Sequence, residues 1–480
     1  MALDKIYLTK INEVFMRANA SASVAREMSE HFSFMTPNAR FDPRVKNKFW
    51  DGKIRLYNLN TGLIYIGLLH AVQEFAYSNN YEVEIDPALV PVGDPPDRVI
   101  KTTKSPRDYQ LETYEYAIKN ERGCFLSPTS SGKSLMIYMI GGYYKKKTLI
   151  VVPSVNLVLQ MRSDFEEYAG KPLDIHCITA GVDKQTDCPI TISTWQSIYK
   201  MPKQWFSQFD VVIGDEIHLF KATSLKGIME KLENCRYRFG FTGTFDDSLT
   251  NKMTIEGLFG HTYQSITAKE MIEKNYSSDL KIKIIVLKHD EQSRLDIHKL
   301  RAAKKFTYSD EVKYLSNQER RNTFLSNLVV SFEQNSLILF KNIDHGKTLH
   351  NIISNKCDRP VYLIYGGVEG DERERIRNIF NEQSNAIIVA SYGTFSTGVN
   401  IPNIHNVVFG TPSKSRVRVL QSIGRGLRLH DEKDYLTVYD VADDLRYKQK
   451  MNYTLNHMVE RTEIYNEQGF NYKIYNVDLN

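Results

Sequence analysis

The fold class follows most directly from residues 124–134, Cys124-Phe-Leu-Ser-Pro-Thr-Ser-Ser-Gly-Lys-Ser134. An apolar run that predicts a buried strand is followed by a short polar loop, and a helix is predicted to begin at Lys133. A loop in this position directs backbone N–H groups and the positive end of the helix dipole towards bound phosphate. We expect Lys133 to reach the β- and γ-phosphates of a nucleotide and Ser134 to ligate Mg²⁺. The other loop residues expected to hold the nucleotide are Thr129, Ser130, Ser131 and Gly132.

The loop is an incomplete match to the phosphate-loop pattern GxxxxGK[ST], because Ser127 stands where the pattern has its first glycine. A chance Gly-Lys-Ser at the start of a helix is the alternative interpretation. Backbone N–H groups make the phosphate cradle, so this departure leaves the cradle and Lys133 in place. The loop alone therefore favours nucleotide binding without establishing it.

Short apolar strands alternate with helical stretches through most of the chain around and after this loop. Near-continuous runs of Val and Ile that alternate with helices are typical of a parallel sheet covered on both faces. The first series of strands is CFLS, TLIVVP, ITIS, DVVIGDE and YRFGFTGT, and the second is SLILF, VYLIYGG, AIIVAS, NVVFGTP and YLTVYDV. The sequence therefore predicts two α/β nucleotide-binding domains in tandem.

A proline-rich segment, PVGDPPDRVIKTTKSP at residues 91–106, marks the clearest domain boundary. Before it lies a small α/β segment, in which Asp51-Gly52 predicts a hairpin between KNKFW and KIRLYNL. A helix is expected there from Gly67 to Ser78. The joint between the two larger domains is expected near Leu280 to Glu291, and a helix and a strand are expected at the end of the chain. The resulting domains are residues 1–90, a linker at 91–104, then 105–280, 281–445 and 446–480.

Composition and charge exclude several classes of protein. With 42% hydrophobic and 25% charged residues, the chain has the composition of a globular protein and not of a disordered or collagen-like one. A net charge of +5 is too small for a histone-like polycation, so a nucleic-acid surface must come from local clusters. Five scattered cysteines without CxxC spacing argue against a zinc site or a disulfide framework. Neither a signal peptide nor a run of about 18 apolar residues is found, which favours a cytosolic protein without membrane contact.

A second motif, Asp210-Val-Val-Ile-Gly-Asp-Glu-Ile-His218, ends an apolar strand with two carboxylates. The carboxyl ends of strands are where open α/β sheets bind ligands. Asp215 is expected to hold Mg²⁺ through water, and Glu216 to orient or deprotonate the water that attacks the γ-phosphate. An ordinary loop start is the alternative for an isolated Asp-Glu pair. The order of this motif after the phosphate loop favours nucleotide hydrolysis, with His218 sensing the nucleotide state.

The second predicted domain contains Gln421-Ser-Ile-Gly-Arg-Gly-Leu-Arg428. Its two arginines are three residues apart, a spacing that places them on neighbouring positions of one helical face. Arginine is permanently charged and can brace a leaving phosphate, as an arginine finger does. A solvated basic face is the alternative for an arbitrary RxxR. The flanking glycines and Gln421, which is expected to contact nucleotide, favour the catalytic interpretation for Arg425 and Arg428.

Taken together, these stretches resemble the ordered motifs of superfamily 2 helicases of the DExH type, over about residues 105–445. The resemblance implies two RecA-like domains, with ATP and Mg²⁺ bound and ATP hydrolysed in the cleft between them. It implies adenine recognition by Gln110 within Pro106-Arg-Asp-Tyr-Gln110, with Arg107 beside the nucleotide. The implied coupling residues are His218, Thr242 and Thr244; the implied nucleic-acid contacts are Pro153, Asn156, Gln160, Thr194, Thr394 and Thr397; and Gly398 is implied in nucleotide contact. In the phosphate loop, Ser127 and Ser130 replace the Ala and Gly of many relatives.

Within this family, the whole chain is most similar to the recombination and repair helicases of tailed bacteriophages. That similarity implies a nucleic-acid-dependent ATPase that migrates junctions, regresses forks and unwinds RNA–DNA hybrids. Its expected partners are branched, single-stranded and duplex DNA, and it would act as a monomer in the cytoplasm of the host cell. Three alternatives stay open at this point: an RNA helicase or non-unwinding translocase, a binding or annealing protein with a weak ATPase, and a phosphate-loop kinase or transporter ATPase.

The N-terminal segment contains a basic and aromatic stretch from Arg40 to Arg55. Lysines interleaved with aromatic rings suit neutralisation of a phosphate backbone combined with stacking at a junction. The residues expected to bind nucleic acid are Lys46, Lys48, Lys53 and Trp50. The alternative is a hairpin whose Phe49 and Trp50 lie in the core while its lysines are solvated.

Overall fold

The computed structural model describes residues 4–36, 39–93, 100–218, 223–245, 249–302, 306–398, 401–411, 413, 415–430, 433–448 and 450–479. Contacts along the chain divide it into two units. The first unit is Met1–Ser127 with Gly132–Ile266, and the second is Pro128–Ser131 with Thr267–Asn480. The first unit contains the small N-terminal segment and one large sheet, and the second contains another large sheet.

The N-terminal segment forms a four-stranded sheet in the order β5-β2-β1-β6 and a separate two-stranded ribbon, β3-β4. Its strands are β1 (Lys5–Lys10), β2 (Phe15–Asn19), β3 (Ser33–Met35), β4 (Lys53–Arg55), β5 (Leu63–Tyr65) and β6 (Glu82–Ile85), and its helices are α1 (Ala22–His31), α2 (Pro43–Lys46) and α3 (Leu69–Ser78). The expected hairpin around Asp51-Gly52 is wrong, because β4 pairs with β3 and not with KNKFW. Asp42 accepts a hydrogen bond from the N–H of Arg44 and begins α2, which ends at Lys46, the first residue of KNKFW; the rest of that stretch follows as a turn and not as a strand.

The N-terminal segment shares one hydrophobic core with the large sheet of the first unit. The hydroxyl of Tyr65 donates to Glu230 Oε1 at 2.5 Å, and Arg122 pairs with Glu13 at 2.6 Å. A Cβ on Gly67 would lie 2.1 Å from the carbonyl oxygen of Glu256, so only glycine permits this approach. The small segment therefore packs directly against the rest of the first unit.

The large sheet of the first unit has seven strands in the order β13-β7-β12-β11-β8-β10-β9, all parallel. The strands are β7 (Arg122–Leu126), β8 (Thr148–Val152), β9 (Ile175–Ile178), β10 (Ile190–Thr194), β11 (Val211–Asp215), β12 (Tyr237–Thr242) and β13 (Thr262–Gln264). The helices are α4 (Asp108–Asn120), α5 (Lys133–Tyr144), α6 (Val155–Ala169), α7 (Trp195–Ile198), α8 (Lys203–Phe206), α9 (Thr223–Lys231) and α10 (Leu249–Phe259). The sequence predicted the five central strands and missed β9 and β13, which are short and lie at the two edges.

The second unit also has a seven-stranded parallel sheet, in the order β16-β17-β15-β18-β19-β14-β20. Its strands are β14 (Asp279–Lys288), β15 (Ser336–Phe340), β16 (Val361–Ile364), β17 (Ile387–Ser391), β18 (Asn406–Phe409), β19 (Tyr435–Asp444) and β20 (Tyr472–Asp478). Its helices are α11 (Ala268–Glu273), α12 (Glu291–Ala302), α13 (Tyr308–Ser316), α14 (Glu319–Val330), α15 (Ile343–Ser354), α16 (Gly370–Glu382), α17 (Tyr392–Gly398), α18 (Arg416–Gly426) and α19 (Tyr453–Glu467). The predicted fold class, two tandem parallel-sheet domains after a small α/β segment, is confirmed.

The boundary between the two units lies earlier than the expected joint near Leu280. It falls between Ile266 and Thr267, and the expected joint is instead occupied by β14, a ten-residue strand of the second sheet. The expected terminal helix and strand are α19 and β20, and β20 pairs directly with β14. Within the described residues, no helix is both long and apolar enough to cross a membrane.

Two buried ion pairs fix helices of the second unit to β19. Arg321 of α14 donates to both carboxylate oxygens of Asp443 at 2.8 and 3.0 Å, and His289 lies 2.9 Å from the same carboxylate. Burial alone would raise the pKa of Asp443, but Arg321 and His289 outweigh it and lower that pKa to about 2. Arg461 of α19 pairs with Asp440 at 2.7 Å. Both arginines are fully buried, so their charges are compensated only by these carboxylates and nearby carbonyl oxygens.

The first prediction concerns the Arg321–Asp443 pair. Arg321→Ala should destabilise the second unit by about 3–5 kcal/mol, because it leaves a buried carboxylate without its main partner. Stabilisation by Asp443 should be complete above the unfolded carboxyl pKa of about 3.9 and fall as the pH drops towards 2. Urea unfolding followed by circular dichroism measures this loss. Arg320→Ala, at the exposed neighbouring position, is the matched control, and equal midpoints for both variants would contradict the assignment.

Candidate active site

The order of the strands brings the predicted catalytic residues to one edge of the first sheet. Strand β12 lies between β7 and β11, with Thr242 opposite Leu126 and Phe241 opposite Asp215. The phosphate loop follows β7, and Glu216 follows β11. Because all three strands are parallel, their carboxyl ends meet at the same edge. The loop, Asp215 and Thr242 are therefore neighbours although they are far apart in sequence.

Lys133 lies between the phosphate loop and Glu216. Its Nζ donates to the carbonyl oxygen of Ser127 at 3.3 Å and lies 3.8 Å from Glu216 Oε1. Both side chains are mostly buried, at 13% and 19% exposure, so the pair is only weakly screened by solvent. Glu216 has a left-handed backbone with φ of 53°, an unusual conformation for a residue with a Cβ. Such local strain is concentrated at functional sites, where it aims a side chain.

His218 connects Glu216 to the end of β12. Its Nδ1 lies 3.3 Å from Glu216 Oε2 and 2.9 Å from the Thr242 hydroxyl. The Thr242 hydroxyl donates to the carbonyl oxygen of Thr244 at 2.8 Å, so it is placed to accept from His218. The predicted residues Lys133, Glu216, His218, Thr242 and Thr244 thus form one continuous chain of contacts.

Asp215 and Ser134 are the two residues predicted to hold Mg²⁺. Asp215 is 7% exposed; burial raises its pKa, Glu216 raises it further, and Lys133 opposes both effects. The hydroxyl of Ser134 is 2.8 Å from that of Tyr168. In the described part of the chain, no cluster of three His, Cys, Asp or Glu side chains could hold a metal by itself. A single carboxylate with a hydroxyl nevertheless fits Mg²⁺, which usually takes one or two protein oxygens together with substrate phosphates.

The residues predicted to recognise adenine lie beside the phosphate loop at the start of α4. Gln110 is 4% exposed, and its Oε1 accepts from the backbone N–H of Arg107 at 2.9 Å. A Cβ on Gly132 would lie 2.5 Å from Gln110 Nε2, and Gly132 has φ of +74°. The left-handed backbone conformation therefore favours glycine at this position, and a side chain here would displace the amide group of Gln110.

The predicted nucleic-acid residues of the first unit follow two adjacent strands. Pro153 follows β8, and Asn156 and Gln160 are exposed one turn apart on α6. Thr194 ends β10 opposite Val152, and its hydroxyl lies 2.9 Å from that of Ser197. Strand β8 is also the neighbour of β11, which carries Asp215. The residues predicted to contact nucleic acid and the predicted catalytic carboxylates consequently share one edge of the sheet.

In the second unit, Thr394 lies at the carboxyl end of β17. Its hydroxyl is 2.8 Å from that of Ser391, and its N–H donates to the Ser391 hydroxyl at 3.2 Å. Thr397 and Gly398 belong to α17, but their side-chain positions lie outside the described residues, as do Val399 and Asn400 altogether.

The predicted arginines do not share a helical face. Gln421 and Arg425 lie one turn apart on α18, but this helix ends at Gly426 and Leu427 caps it, so Arg428 belongs to the following loop. The two glycines beside Arg425 and the cap at Leu427 end the helix before Arg428. The helical spacing predicted for the two arginines is therefore not formed.

Sequence reasoning missed Lys433, which lies next to these arginines. Its Nζ donates to the carbonyl oxygens of Pro402 at 2.6 Å and of Gly426 at 2.8 Å, the latter at the end of α18. Burial, with a smaller contribution from Arg428, lowers the pKa of Lys433 to about 7. A lone lysine in a loop carries no sequence signal for such a position.

The basic N-terminal stretch is only partly available to a ligand. Phe49 is 86% exposed, whereas Trp50 donates its Nε1–H to the carbonyl oxygen of Lys53 and lies under the Arg44 guanidinium at 4.7 Å. Lys53 pairs with Glu30 at 2.5 Å. Lys46 and Lys48 are exposed. Phe49 is therefore not the core residue that the alternative interpretation required.

Comparison with known families divides the chain into three matches. Residues 9–86 match the family described as DNA helicase UvsW, N-terminal; residues 103–247 match Type III restriction enzyme, res subunit; and residues 320–430 match Helicase conserved C-terminal domain. The ATP-dependent DNA helicase uvsW of Enterobacteria phage T4 is 32% identical, over 97% of this chain and 98% of the phage protein. The chain belongs to the UvsW family of superfamily 2 helicases. The predicted membership of the DExH-type helicases is thereby confirmed.

Solved structures agree with this assignment of the UvsW-family helicase. The crystal structure of T4 UvsW has a TM-score of 0.50 and 31% identity, and it covers 99% of this chain. The type ISP restriction-modification enzyme LlaBIII bound to DNA has a TM-score of 0.58 at 15% identity, over 85% of this chain and 34% of that enzyme, which supports the fold alone. A more distant relative, the DNA 3'-5' translocase XPB2 of Sulfurisphaera tokodaii, is 26% identical over 74% of this chain and 85% of the translocase.

Proposed function

We propose that this UvsW-family helicase uses ATP hydrolysis to translocate on DNA, and that it unwinds and branch-migrates branched DNA. The observation that carries the proposal is the chain of contacts from Lys133 through Glu216 and His218 to Thr242. It begins at the phosphate loop and ends on a strand beside the one that carries Asp215. A kinase or transporter ATPase has no need of the second sheet with Gln421 and Arg425, whereas a helicase requires both.

The catalytic roles follow from the chemistry of each side chain. Lys133 neutralises the β- and γ-phosphates, and Glu216 orients the attacking water and accepts its proton. Mg²⁺, held by Ser134 and Asp215, would neutralise charge that develops on the phosphates. Lys133 keeps Glu216 in place before ATP arrives. When ATP binds, the Nζ of Lys133 exchanges the Glu216 carboxylate for a phosphate. Glu216 is then available to orient the attacking water.

Coupling of hydrolysis to movement is assigned to His218, Thr242 and Thr244. His218 contacts both Glu216 and Thr242, so a change of Glu216 on hydrolysis can reach Thr242 through His218 alone. The neighbouring strands β8 and β10 carry the contacts proposed for nucleic acid: Pro153, Asn156, Gln160 and Thr194. A nucleotide-dependent shift of this edge of the sheet therefore changes which conformations are populated, and with them the contacts to the bound strand.

The second unit is proposed to supply arginine and phosphate-backbone contacts. Arg425 stabilises charge on the transferred phosphoryl group, and Arg428 and Gln421 assist nucleotide binding. Lys433 acts as a positioning residue, because it holds the end of the helix that carries Arg425. Ser391 and Thr394 suit contacts with phosphates that do not depend on base sequence.

Branched DNA is proposed as the substrate because the family match covers the N-terminal segment as well as the motor. Single-stranded and duplex DNA and RNA–DNA hybrids are proposed as further partners of the same motor. The phage origin of the T4 relative supports action in the cytoplasm of a host cell, and a monomer suffices because one chain carries all of these sites.

A fluorescent four-way junction tests the proposed substrate. Wild-type protein with ATP and Mg²⁺ should convert the junction into duplex products, and Lys133→Ala should not. A Y-shaped fork and an RNA–DNA hybrid of matched length measure the preference among substrates. Conversion of an RNA duplex with no conversion of any DNA substrate would overturn the proposal and favour an RNA helicase.

A second prediction concerns the N-terminal surface. The double variant Lys46→Ala with Lys48→Ala should bind branched DNA more weakly, and its log–log salt slope should fall by about two, because two phosphate contacts are lost. Basal ATP hydrolysis should be unchanged. Fluorescence anisotropy at several salt concentrations measures both effects. Lys119→Ala with Lys171→Ala, at exposed positions of the first unit, is the charge-matched control; equal slopes for the two double variants would exclude the role proposed for Lys46 and Lys48.

A further inference from the structure

Three parallel strands at one margin of the second sheet, β19, β14 and β20, display a set of lysines and tyrosines on one face. Residues in register on neighbouring strands point to the same face. Lys283 is in register with Tyr439 on one side and with Lys473 on the other, and Ile285 is in register with Tyr475. The lysines and tyrosines of this face are Lys281, Lys283, Tyr435, Tyr439, Lys473 and Tyr475, which we name the lysine–tyrosine face; Asp279 and Thr437 lie in register among them.

Helices cover this face only in part. Nearer the carboxyl ends, Ile285 and Leu287 are buried in a core with Leu325 and Val329 of α14. Phe332, just after that helix, stacks on Tyr439 with ring centroids 4.6 Å apart. Towards the amino ends from Tyr439, Thr437 is buried at 4% exposure and Tyr435 is 39% exposed. Tyr475, which is in register with Ile285 on the edge strand β20, is 43% exposed.

The lysines of the face lie against its aromatic rings. Lys281 Nζ is 3.3 Å from the centroid of the Tyr435 ring, and Lys283 Nζ is 5.3 Å from that of Tyr439. These cation–π contacts hold one ammonium group beside the exposed ring of Tyr435 and another beside the partly buried ring of Tyr439. Among the described residues of this part of the face, Asp279 is the only carboxylate, and it lies at the amino end of β14. The face is therefore both aromatic and positively charged.

The residues run diagonally across the three strands. Tyr435 is opposite Asp279, and Tyr475 is opposite Ile285, six residues further along β14. At about 3.3 Å per residue this offset is about 20 Å along the strands. Lys281, Lys283 and Lys473 lie between the two tyrosines. Lysines and tyrosine rings thus alternate along this diagonal. A flexible polyanion with planar groups can contact several lysines and rings at once, whereas a compact anion cannot.

From this arrangement we infer that the lysine–tyrosine face binds single-stranded nucleic acid, with phosphates on the lysines and unpaired bases stacked on Tyr435 and Tyr475. Single strands are generally bound by a positively charged surface with aromatic rings on which successive bases stack. The inference rests on the proposed function, because the strand would be one that the motor has separated. It gives the terminal strand β20, which contributes Lys473 and Tyr475, a role in holding that strand.

The test compares Lys473→Ala with Tyr475→Ala as a double variant against Asn476→Ala, an exposed control on the opposite face of the same strand. Binding of a fluorescent oligo-dT and of a duplex is measured by anisotropy over a range of salt. The double variant should lose about tenfold in affinity for oligo-dT and lose less for the duplex, because stacking needs unpaired bases. Its salt slope should fall by about one. Basal ATP hydrolysis should equal that of the wild type.

The outcomes separate this inference from the function on which it rests. If polynucleotides do not stimulate ATP hydrolysis by the wild type, the proposed function fails. If stimulation is normal but the double variant binds oligo-dT with unchanged affinity and salt slope, the inference about the face is overturned. A polyglutamate peptide is the second probe. Peptide binding that is lost in the double variant, with oligo-dT binding intact, would identify an acidic protein segment as the occupant and overturn the inference as well.

Discussion

Arg425→Ala should lower the kcat of DNA-stimulated ATP hydrolysis by about 10³–10⁵-fold, the loss typical of an arginine finger. Arg425 is in the last turn of α18, a helix whose end is held by Lys433 through the carbonyl oxygen of Gly426. Its backbone is therefore fixed, and the substitution should remove charge without moving the helix. Arg425→Lys should restore little activity, because an ammonium cannot reproduce the planar fork of a guanidinium.

The matched control for this prediction is Arg418→Ala, at an exposed position two turns earlier on α18. It should hydrolyse ATP at the wild-type rate. Steady-state hydrolysis gives kcat, and a fluorescent ATP analogue reports nucleotide binding, which both variants should retain. Near-normal kcat in Arg425→Ala would show that this arginine only contributes to a basic surface.

Glu216→Gln should lower kcat by about 10²–10⁴-fold and leave ATP binding nearly intact. The amide keeps the shape of the side chain but cannot accept the proton of the attacking water. The substitution also removes the charge that faces Lys133 at 3.8 Å and His218 at 3.3 Å. Lys133 should then be more available to the phosphates, so the affinity for ATP should be equal to or higher than that of the wild type.

Glu115→Gln, an exposed substitution on α4, controls for a nonspecific change of charge. Single-turnover hydrolysis separates the chemical step from product release, and equilibrium binding of ATP is measured with the same samples. A variant that loses ATP binding in proportion to its rate would contradict the role of Glu216 as the base, since that role predicts a loss confined to kcat.

The central strands, and the edge where the predicted catalytic residues meet, could be predicted because their signals are local. Short, mostly apolar stretches of five or six residues form β7, β8, β10, β11 and β12, and a parallel sheet places their carboxyl ends together. The contacts of Lys133, Glu216, His218 and Thr242 follow from that rule and from the order of the motifs. The exact partners do not follow: the hydroxyl of Ser134 faces Tyr168, a residue with no motif of its own.

The features that the sequence did not reveal depend on long-range contacts or on local backbone conformation. KNKFW was expected as a strand, but the cap at Asp42 starts α2 and leaves β4 to pair with β3. Arg428 follows a helix that ends at Gly426, so its spacing from Arg425 was misleading. The N-terminal segment contacts the rest of the first unit at Gly67. A single glycine gives no sequence signal for a contact with Glu256, almost two hundred residues away.

The most direct test of the central claim is steady-state ATP hydrolysis without nucleic acid and with single-stranded DNA, duplex DNA and a four-way junction. Lys133→Ala, measured alongside, controls for contaminating activity. We predict strong stimulation by DNA, greatest with the junction and absent from the variant. Hydrolysis that no polynucleotide stimulates, or equal activity in Lys133→Ala, would contradict the assignment of this chain as a DNA-driven motor.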